Sequence, residues 1–71
     1  MSMRWAVIGY GRFGQLHSSA IARAGNAELA AIATASEASA ERASTDYPDA
    51  FVTTDWQKLL GNPSIDVIDI V

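Results

Sequence analysis

Residues 9–14 of this chain read Gly9-Tyr10-Gly11-Arg12-Phe13-Gly14, with the spacing Gly-x-Gly-x-x-Gly. Residues 4–8, which are apolar after Arg4, precede this turn and favour a short buried strand. An apolar repeat of three and four residues follows the turn and favours a helix. In such a strand–turn–helix unit the first glycine permits a tight turn and the second lets a phosphate approach the backbone. The third lets the helix pack closely on the strand. The stretch therefore predicts a turn that binds the pyrophosphate of a dinucleotide.

Six residues are expected to contact the coenzyme at this turn, partly through backbone N–H groups at the helix start, where the helix dipole favours negative charge. They are Gly9, Tyr10, Gly11, Arg12, Phe13 and Gly14. The guanidinium group of Arg12 can add a direct contact to a phosphate oxygen. A Walker-type phosphate loop is excluded, because no Gly-Lys-Ser/Thr follows the glycines.

Three further stretches predict β-strands: residues 28–34, 51–53 and 65–71, which are short and rich in apolar or β-branched side chains. Helical patterns and short connections separate them, so the order along the chain is β-α-β-α-β-α-β. Alternating strands and helices imply parallel strands joined by right-handed crossovers. The sequence therefore predicts the α/β class, with a Rossmann-type parallel sheet of which this chain holds the first half only.

The helices are predicted from apolar periodicity and from their end signals. In the first helix the stripe expected to face the sheet consists of Phe13, Leu16, His17, Ala20, Ile21 and Ala24. Ser36 is predicted to cap the second helix, and Pro48 ends it. A short third helix is predicted to begin with Thr54 or Asp55 as its cap.

The residues that end the second predicted strand bear on coenzyme choice. NAD-binding folds place an Asp or Glu about 20 residues after the glycines, where it binds the adenosine ribose hydroxyls. Thr34 occupies that position here and Ser36 follows shortly after, and both hydroxyls can donate hydrogen bonds to a 2′-phosphate. Both residues join the expected coenzyme-binding set, and the cofactor is expected to be NAD(P), with a lean to NADP. The lack of Arg or Lys in this turn and the nearby Glu37 oppose that lean.

Composition and charge bound the class of protein. The 71 residues carry a formal net charge of −3, which argues against a nucleic-acid partner. Cysteine is absent, which excludes disulfides and thiolate sites and fits a cytoplasmic protein. No apolar run approaches the ~18 residues of a membrane span, so no membrane partner is expected. Because a domain of this size is marginal alone, residues 1–71 are expected to be the N-terminal part of an NAD(P)-binding domain, with the substrate domain outside this chain.

Several polar and aromatic side chains invite a functional interpretation, but the sequence favours a structural one. His17 lies on the predicted apolar helix face and has no Cys or His partner, so packing is favoured over a metal site. Asp66 and Asp69 are three positions apart on a predicted strand, where they point to opposite faces and cannot form an acid–base pair unaided. Trp5 and Trp56 could stack on adenine, although core packing explains both positions more simply.

Residues 7–17 (VIGYGRFGQLH), 26–33 (NAELAAIA) and 54–71 (TDWQKLLGNPSIDVIDIV) resemble the start of the Gfo/Idh/MocA family of glucose–fructose oxidoreductases, inositol dehydrogenases and rhizopine-catabolism proteins. The glycine motif is generic, but His17 and the Leu-Leu…Asn-Pro…Ile-Asp-Val run are more specific to that family. The resemblance covers essentially the whole chain. It implies NAD or NADP binding and hydride transfer at a secondary alcohol carbon of a sugar, cyclitol or related compound.

The resemblance therefore implies the coenzyme-binding half of an NAD(P)-dependent oxidoreductase with a small carbohydrate-like substrate. In that family the acid/base lysine of a Glu-Lys-Pro motif and a Thr-Pro turn would lie past Val71, so no catalytic residue is assigned here. An unpaired edge of the last strand favours self-association, and a homo-oligomer is expected. Two other classes stay open: a non-catalytic dinucleotide-binding regulatory module, and an S-adenosylmethionine methyltransferase, against which Thr34 argues.

Overall fold

The strands form a four-stranded parallel sheet in the computed structural model, which describes residues 2–71. The strands are β1 (Met3–Ile8), β2 (Ala27–Ala33), β3 (Phe51–Thr53) and β4 (Val67–Ile70). Their order across the sheet is β3-β2-β1-β4, and all three pairings are parallel. This is the order of the first four strands in a dinucleotide-binding sheet. The predicted fold class, the first half of a Rossmann-type sheet, is confirmed.

Two α-helices and one 3₁₀ helix connect the strands. They are α1 (Arg12–Arg23), α2 (Glu37–Asp46) and the 3₁₀ helix (Trp56–Lys58). The Ser36 hydroxyl caps α2 by accepting a hydrogen bond from the Ser39 N–H at 3.2 Å, as predicted. The prediction of a third α-helix is wrong in type, because its backbone makes i→i+3 bonds and Gly61, at φ +76°, then turns the chain.

The core lies on both faces of the sheet. On one face Ala6, Ala31 and Ala33 pack against Leu59, which follows the 3₁₀ helix and is fully buried. On the other face the buried cluster is Tyr10, Ile32 and Ala43, the last from α2. Side chains alternate between faces along a strand, so the small residues of β2 serve one face and its larger residues serve the other. Covering on both sides explains why the second half of β2, residues 29–33, is apolar throughout.

Helix α1 buries only part of the predicted stripe. Ile21 is buried against the sheet as predicted, but Phe13 and Leu16 are 67% and 59% exposed. The predicted burial of Phe13 and Leu16 is wrong, because the helix packs on the sheet through the face that carries Gly14 and Ser18 beside Ile21.

The amino ends of β1 and β4 are joined by a reciprocal contact. The Arg4 N–H donates to Asp66 Oδ2 at 2.7 Å, and the Asp66 N–H donates to the Arg4 carbonyl at 2.8 Å. Asp66 thus stands just before β4, which begins at Val67 and not at the predicted residue 65. The pairing continues along both strands to Ile8 and Ile70, so the carboxyl ends of β1 and β4 meet at one edge of the sheet.

Candidate dinucleotide-binding site

Gly9 turns the chain directly after β1. Its φ of +112° lies in the region that favours glycine, and its N–H donates to the Ala33 carbonyl of β2 at 2.9 Å. A Cβ placed on Gly9 would lie 2.9 Å from the Val71 carbonyl oxygen, beside the end of β4. Both its conformation and its neighbours therefore require glycine, and the turn is held between the two strands that flank β1.

Gly11 is the N-cap of α1 and faces open space. The first helical hydrogen bond runs from the Gln15 N–H to the Gly11 carbonyl at 2.9 Å, and no side chain of the described residues caps this helix end. The first turn carries no acidic residue, so nothing there neutralises the positive end of the helix dipole. A Cβ on Gly11 would have no atom within 4 Å. The geometry leaves room for an anionic group against the backbone at this point.

Gly14 brings α1 against the turn. A Cβ at this position would overlap the Gly9 carbonyl oxygen and lie 2.6 Å from the Gly9 carbonyl carbon. No side chain fits there without separating the helix from β1. The predicted roles of the three glycines thus match three different local geometries, a positive φ, an open face and a close contact.

Tyr10 is directed away from this open face and into the core. It is 4% exposed, packs with Ile32 and Ala43, and donates its hydroxyl hydrogen to Asp46 Oδ2. Burial and the hydrogen bond to Asp46 raise the pKa of Tyr10 far above its ordinary value. A contact from Tyr10 to a coenzyme is therefore limited to its backbone.

Arg12 and Phe13 form the exposed start of α1. Both side chains face solvent, and Arg12 makes no hydrogen bond or ion pair within residues 2–71. The Arg12 guanidinium therefore has no hydrogen-bond or ion-pair partner among the described residues, and its contact with a phosphate stays a prediction.

At the carboxyl end of β2 both predicted hydroxyls are already hydrogen-bonded. Thr34 is 5% exposed, and its hydroxyl donates to the Ser36 carbonyl at 2.9 Å. The Ser36 hydroxyl donates to Ser39 Oγ at 3.2 Å and also caps α2. Because both donors are used within the chain, neither is free to donate to a 2′-phosphate without rearrangement. Thr34 lines the same cavity as Gly9, but the hydrogen bonds of Thr34 and Ser36 remove the reason for the lean to NADP.

A small cavity of about 150 Å³ lies at the carboxyl edge, next to the turn. Its lining is mostly apolar and consists of Ile8, Gly9, Ala33, Thr34, Ala35 and Trp56. Trp56 is 48% exposed, so the prediction that it packs in the core is wrong. The sequence signal for this cavity is an aromatic residue three positions after the short third strand, a position that core packing also explains.

A larger cavity of about 480 Å³ lies at the opposite end of the sheet. It is bordered by Ala27 and Glu28 at the start of β2 and by Tyr47 and Pro48 after α2. Ligands of open parallel sheets bind outside the carboxyl ends of the strands. The smaller cavity, which includes Gly9, is therefore the one that belongs to the candidate site.

His17 connects α1 to β4. Its Nδ1 lies 2.7 Å from Asp69 Oδ2, and the two side chains are 48% and 24% exposed. His17 thus has a structural contact, but the predicted packing on a buried apolar face is wrong. Asp66 engages Arg4 at the other end of β4, so the two carboxylates do not form a pair.

Residues 2–71 contain no helix with the length and apolar character needed to cross a bilayer. The same residues contain no group of three or more His, Cys, Asp or Glu side chains arranged to hold a metal ion.

Fold, glycine turn and open helix start together define a dinucleotide-binding half-domain. The family model described as "Oxidoreductase family, NAD-binding Rossmann fold" matches residues 3–71. The chain belongs to this family, the Gfo/Idh/MocA oxidoreductases, as the resemblance in the sequence implies. A comparison with curated proteins gives no match.

Solved structures of dehydrogenases share the fold closely. Myo-inositol dehydrogenase from Lactobacillus casei, in complex with NAD(H) and myo-inositol, is 32% identical with a TM-score of 0.89, over 100% of this chain and 22% of that one. Scyllo-inositol dehydrogenase from the same organism, with NAD(H) and scyllo-inositol, is 25% identical with a TM-score of 0.88, over 100% and 21%. An NAD-binding oxidoreductase from Klebsiella pneumoniae is 32% identical with a TM-score of 0.82, over 99% and 21%. The chain thus spans about a fifth of the length of these proteins.

Proposed function

We propose that these residues form the coenzyme-binding half of an NAD(P)-dependent oxidoreductase that acts on a cyclitol, sugar or related secondary alcohol. Family membership supports the reaction class, and the two inositol dehydrogenases similar to this chain support the substrate class. The observation that carries the proposal is the uncapped start of α1, where Gly11 faces open space and Gly14 contacts Gly9. A substrate domain with the catalytic residues would lie outside residues 1–71.

The residues present fit a dinucleotide. The backbone N–H groups at the start of α1 would bind the pyrophosphate, Gly11 would let it approach, and Arg12 would add a charged contact. Thr34 and Ser36 would lie beside the adenosine ribose, at the end of β2. When bound, the nicotinamide ring supplies hydride acceptance and donation. The part of the protein described here orients that coenzyme and contributes no acid or base.

For coenzyme choice we propose NAD(H) over NADP(H), against the lean of the sequence analysis. The Thr34 and Ser36 hydroxyls are used within the chain, and Glu37 lies exposed in the first turn of α2, where it would repel a 2′-phosphate. The NAD(H) in the two inositol dehydrogenase complexes supports the same choice. Titration with NADH and with NADPH decides the coenzyme preference. Tighter binding of NADPH than of NADH would contradict the proposal and favour NADP(H).

The test of dinucleotide binding is Gly11→Ala in the whole protein. A Cβ at Gly11 meets no protein atom, so we expect unchanged thermal stability, but the methyl group occupies the space through which the phosphate approaches. Loss of one charge-assisted hydrogen bond, about 1.5–3 kcal/mol, corresponds to a roughly 10- to 150-fold weaker Kd for NADH. Isothermal titration calorimetry measures this change.

Gly25→Ala is the matched control, because a Cβ at Gly25 also meets no atom within 4 Å and this turn lies away from the site. It should bind NADH like the wild type. A folded Gly11→Ala protein with unchanged affinity would contradict the assignment of the pyrophosphate turn. Binding without turnover of any cyclitol or sugar would instead favour the regulatory-module alternative.

Two expectations from the sequence, a cytoplasmic location and a homo-oligomeric assembly, stay predictions. The absence of cysteine supports the first. The exposed edge of β4 supports self-association of these residues.

A further inference from the structure

The 3₁₀ helix presents a half-exposed indole beside the candidate site. Trp56 is the first residue of this helix and directly follows Asp55, whose carboxylate accepts a hydrogen bond from the Gln57 N–H at 3.1 Å. Asp55 is itself held to β3 through Thr53 Oγ1, at 3.0 Å. Leu59 fills the core from the same segment and is fully buried. Leu59 therefore packs in the core, and the larger Trp56 ring lies at the surface. The hydrogen bonds of Asp55 hold the turn that carries it.

The indole borders the cavity that continues from the glycine turn. Ile8 and Ala33 belong to the sheet face that Leu59 covers, and both line the cavity together with Trp56. Gly9 and Thr34 complete it on the side of the turn and of β2. One side of the site thus offers an apolar surface with an aromatic wall, adjacent to the positions proposed for pyrophosphate and ribose.

The position of Trp56 along the edge of the sheet indicates which end of a bound dinucleotide would lie against this apolar surface. The end of β2 is where the adenosine ribose of a dinucleotide lies, and Trp56 follows β3, the neighbour of β2 away from β1 and β4. The base attached to that ribose would extend toward Trp56, whereas the nicotinamide would extend toward β4. A purine base has flat apolar faces, and an indole stacks on them without needing hydrogen-bond partners.

We propose that Trp56 forms the aromatic wall of the adenine subsite, with Ile8, Ala33 and Ala35 as its apolar floor. This inference rests on the proposed function, because it places the adenine of the coenzyme proposed there. Trp56 is a positioning residue in this role: it orients the adenosine half of the coenzyme and takes no part in hydride transfer.

The test uses ADP, which carries the adenosine half and the pyrophosphate but no nicotinamide. In the whole protein, Trp56→Ala should weaken ADP and NADH binding by about tenfold, as expected for loss of one base–aromatic stack. Trp56→Phe should bind both ligands within about threefold of wild type, because it keeps an aromatic face. Calorimetry gives the affinities.

Fluorescence supplies a second readout that a merely structural role would not move. ADP should quench the tryptophan emission of the wild type, and Trp56→Phe should lose that quenching while still binding ADP. Trp5→Phe is the matched control, since Trp5 lies on β1 and does not line the cavity; it should keep the quenching.

The outcomes separate this inference from the function on which it rests. A wild-type protein that binds neither NADH nor ADP would overturn the proposed function itself. Normal NADH binding, with Trp56→Ala unchanged and quenching retained in Trp56→Phe, would overturn only the role of Trp56. If Trp56→Ala fails to fold, the quenching in Trp56→Phe still decides the question.

Discussion

At the scale of single residues, the glycine turn combines positions with different physical demands. Gly9 is required by its positive φ and Gly14 by its contact with the Gly9 carbonyl, so both serve the fold. Gly11 has an extended backbone conformation that other residues adopt, and nothing surrounds it. Of the three glycines in this turn, only Gly11 meets no structural demand from the described residues. Its substitution therefore separates binding from folding, which substitution of the other two cannot do.

Tyr10 leads to a prediction about pH at the same scale. Burial and the hydrogen bond to Asp46 raise the pKa of Tyr10 above the ordinary value of about 10. The unfolded chain therefore loses this proton at a lower pH than the folded chain. The stabilisation that the protonated hydroxyl contributes is complete below about pH 10 and is lost as pH rises beyond it.

We expect the free energy of unfolding of the wild type to fall as pH rises above about 10, and Tyr10→Phe to reduce this fall. At pH 7 the same variant should lose about 0.5–1.5 kcal/mol, the usual net contribution of one hydrogen bond. Urea denaturation at several pH values measures both effects, with Tyr47→Phe as the control that removes the other tyrosine hydroxyl. An unchanged pH profile in Tyr10→Phe would contradict the burial of its hydroxyl.

At the scale of elements, the packing of α1 on β1 depends on the absence of a side chain at Gly14. We expect Gly14→Ala to destabilise the whole protein by about 1–3 kcal/mol, because the added methyl group overlaps the Gly9 carbonyl and pushes the helix outward. Thermal denaturation measures the loss, and Gly25→Ala serves as the control for replacing glycine where no neighbour is contacted. A Gly14→Ala protein as stable as the wild type would show that α1 can shift without cost.

At the scale of the whole molecule, β4 leaves one side of the sheet without a partner strand among the described residues. Ile70 on this strand is 74% exposed and Val71 beyond it is 46% exposed. An exposed apolar edge of this kind pairs readily with a second chain, and a lysine on the edge opposes the pairing. The 71-residue chain by itself should therefore self-associate as its concentration rises.

Ile70→Lys should shift the 71-residue chain toward monomer, while Leu60→Lys, at an exposed apolar position outside the strands, should not. Sedimentation velocity over a range of concentrations distinguishes the two, and circular dichroism checks that each variant retains its helices. A monomeric wild type, or an equal effect of both substitutions, would contradict association through the β4 edge.

Local signals predicted most elements of the fold. Strand β3 (Phe51–Thr53) has the predicted bounds, and the predicted cap at Ser36 is present. The local signals failed where more than one set of side chains with the same spacing or apolar character could have been buried, and packing against the sheet decided which set was. The Phe13 and Leu16 stripe has the spacing of a buried face but is exposed, and Trp56 has the size of a core residue but stands half in solvent. The face of α1 that carries Gly14, Ser18 and Ile21 packs on the sheet instead, and Leu59 fills the core in place of Trp56.

The sequence by itself determined the fold class, the position of the glycine turn and the family, because each depends on residue types at fixed short spacings. Tertiary structure decided which face of α1 is buried and that Tyr10 points into the core. It also decided that the Thr34 and Ser36 hydroxyls donate their hydrogen bonds within the chain. It also decided that Trp56 borders the site. These features depend on distances between residues far apart in the chain. Such distances follow from how closely the helices and turns approach the sheet, which no local pattern encodes.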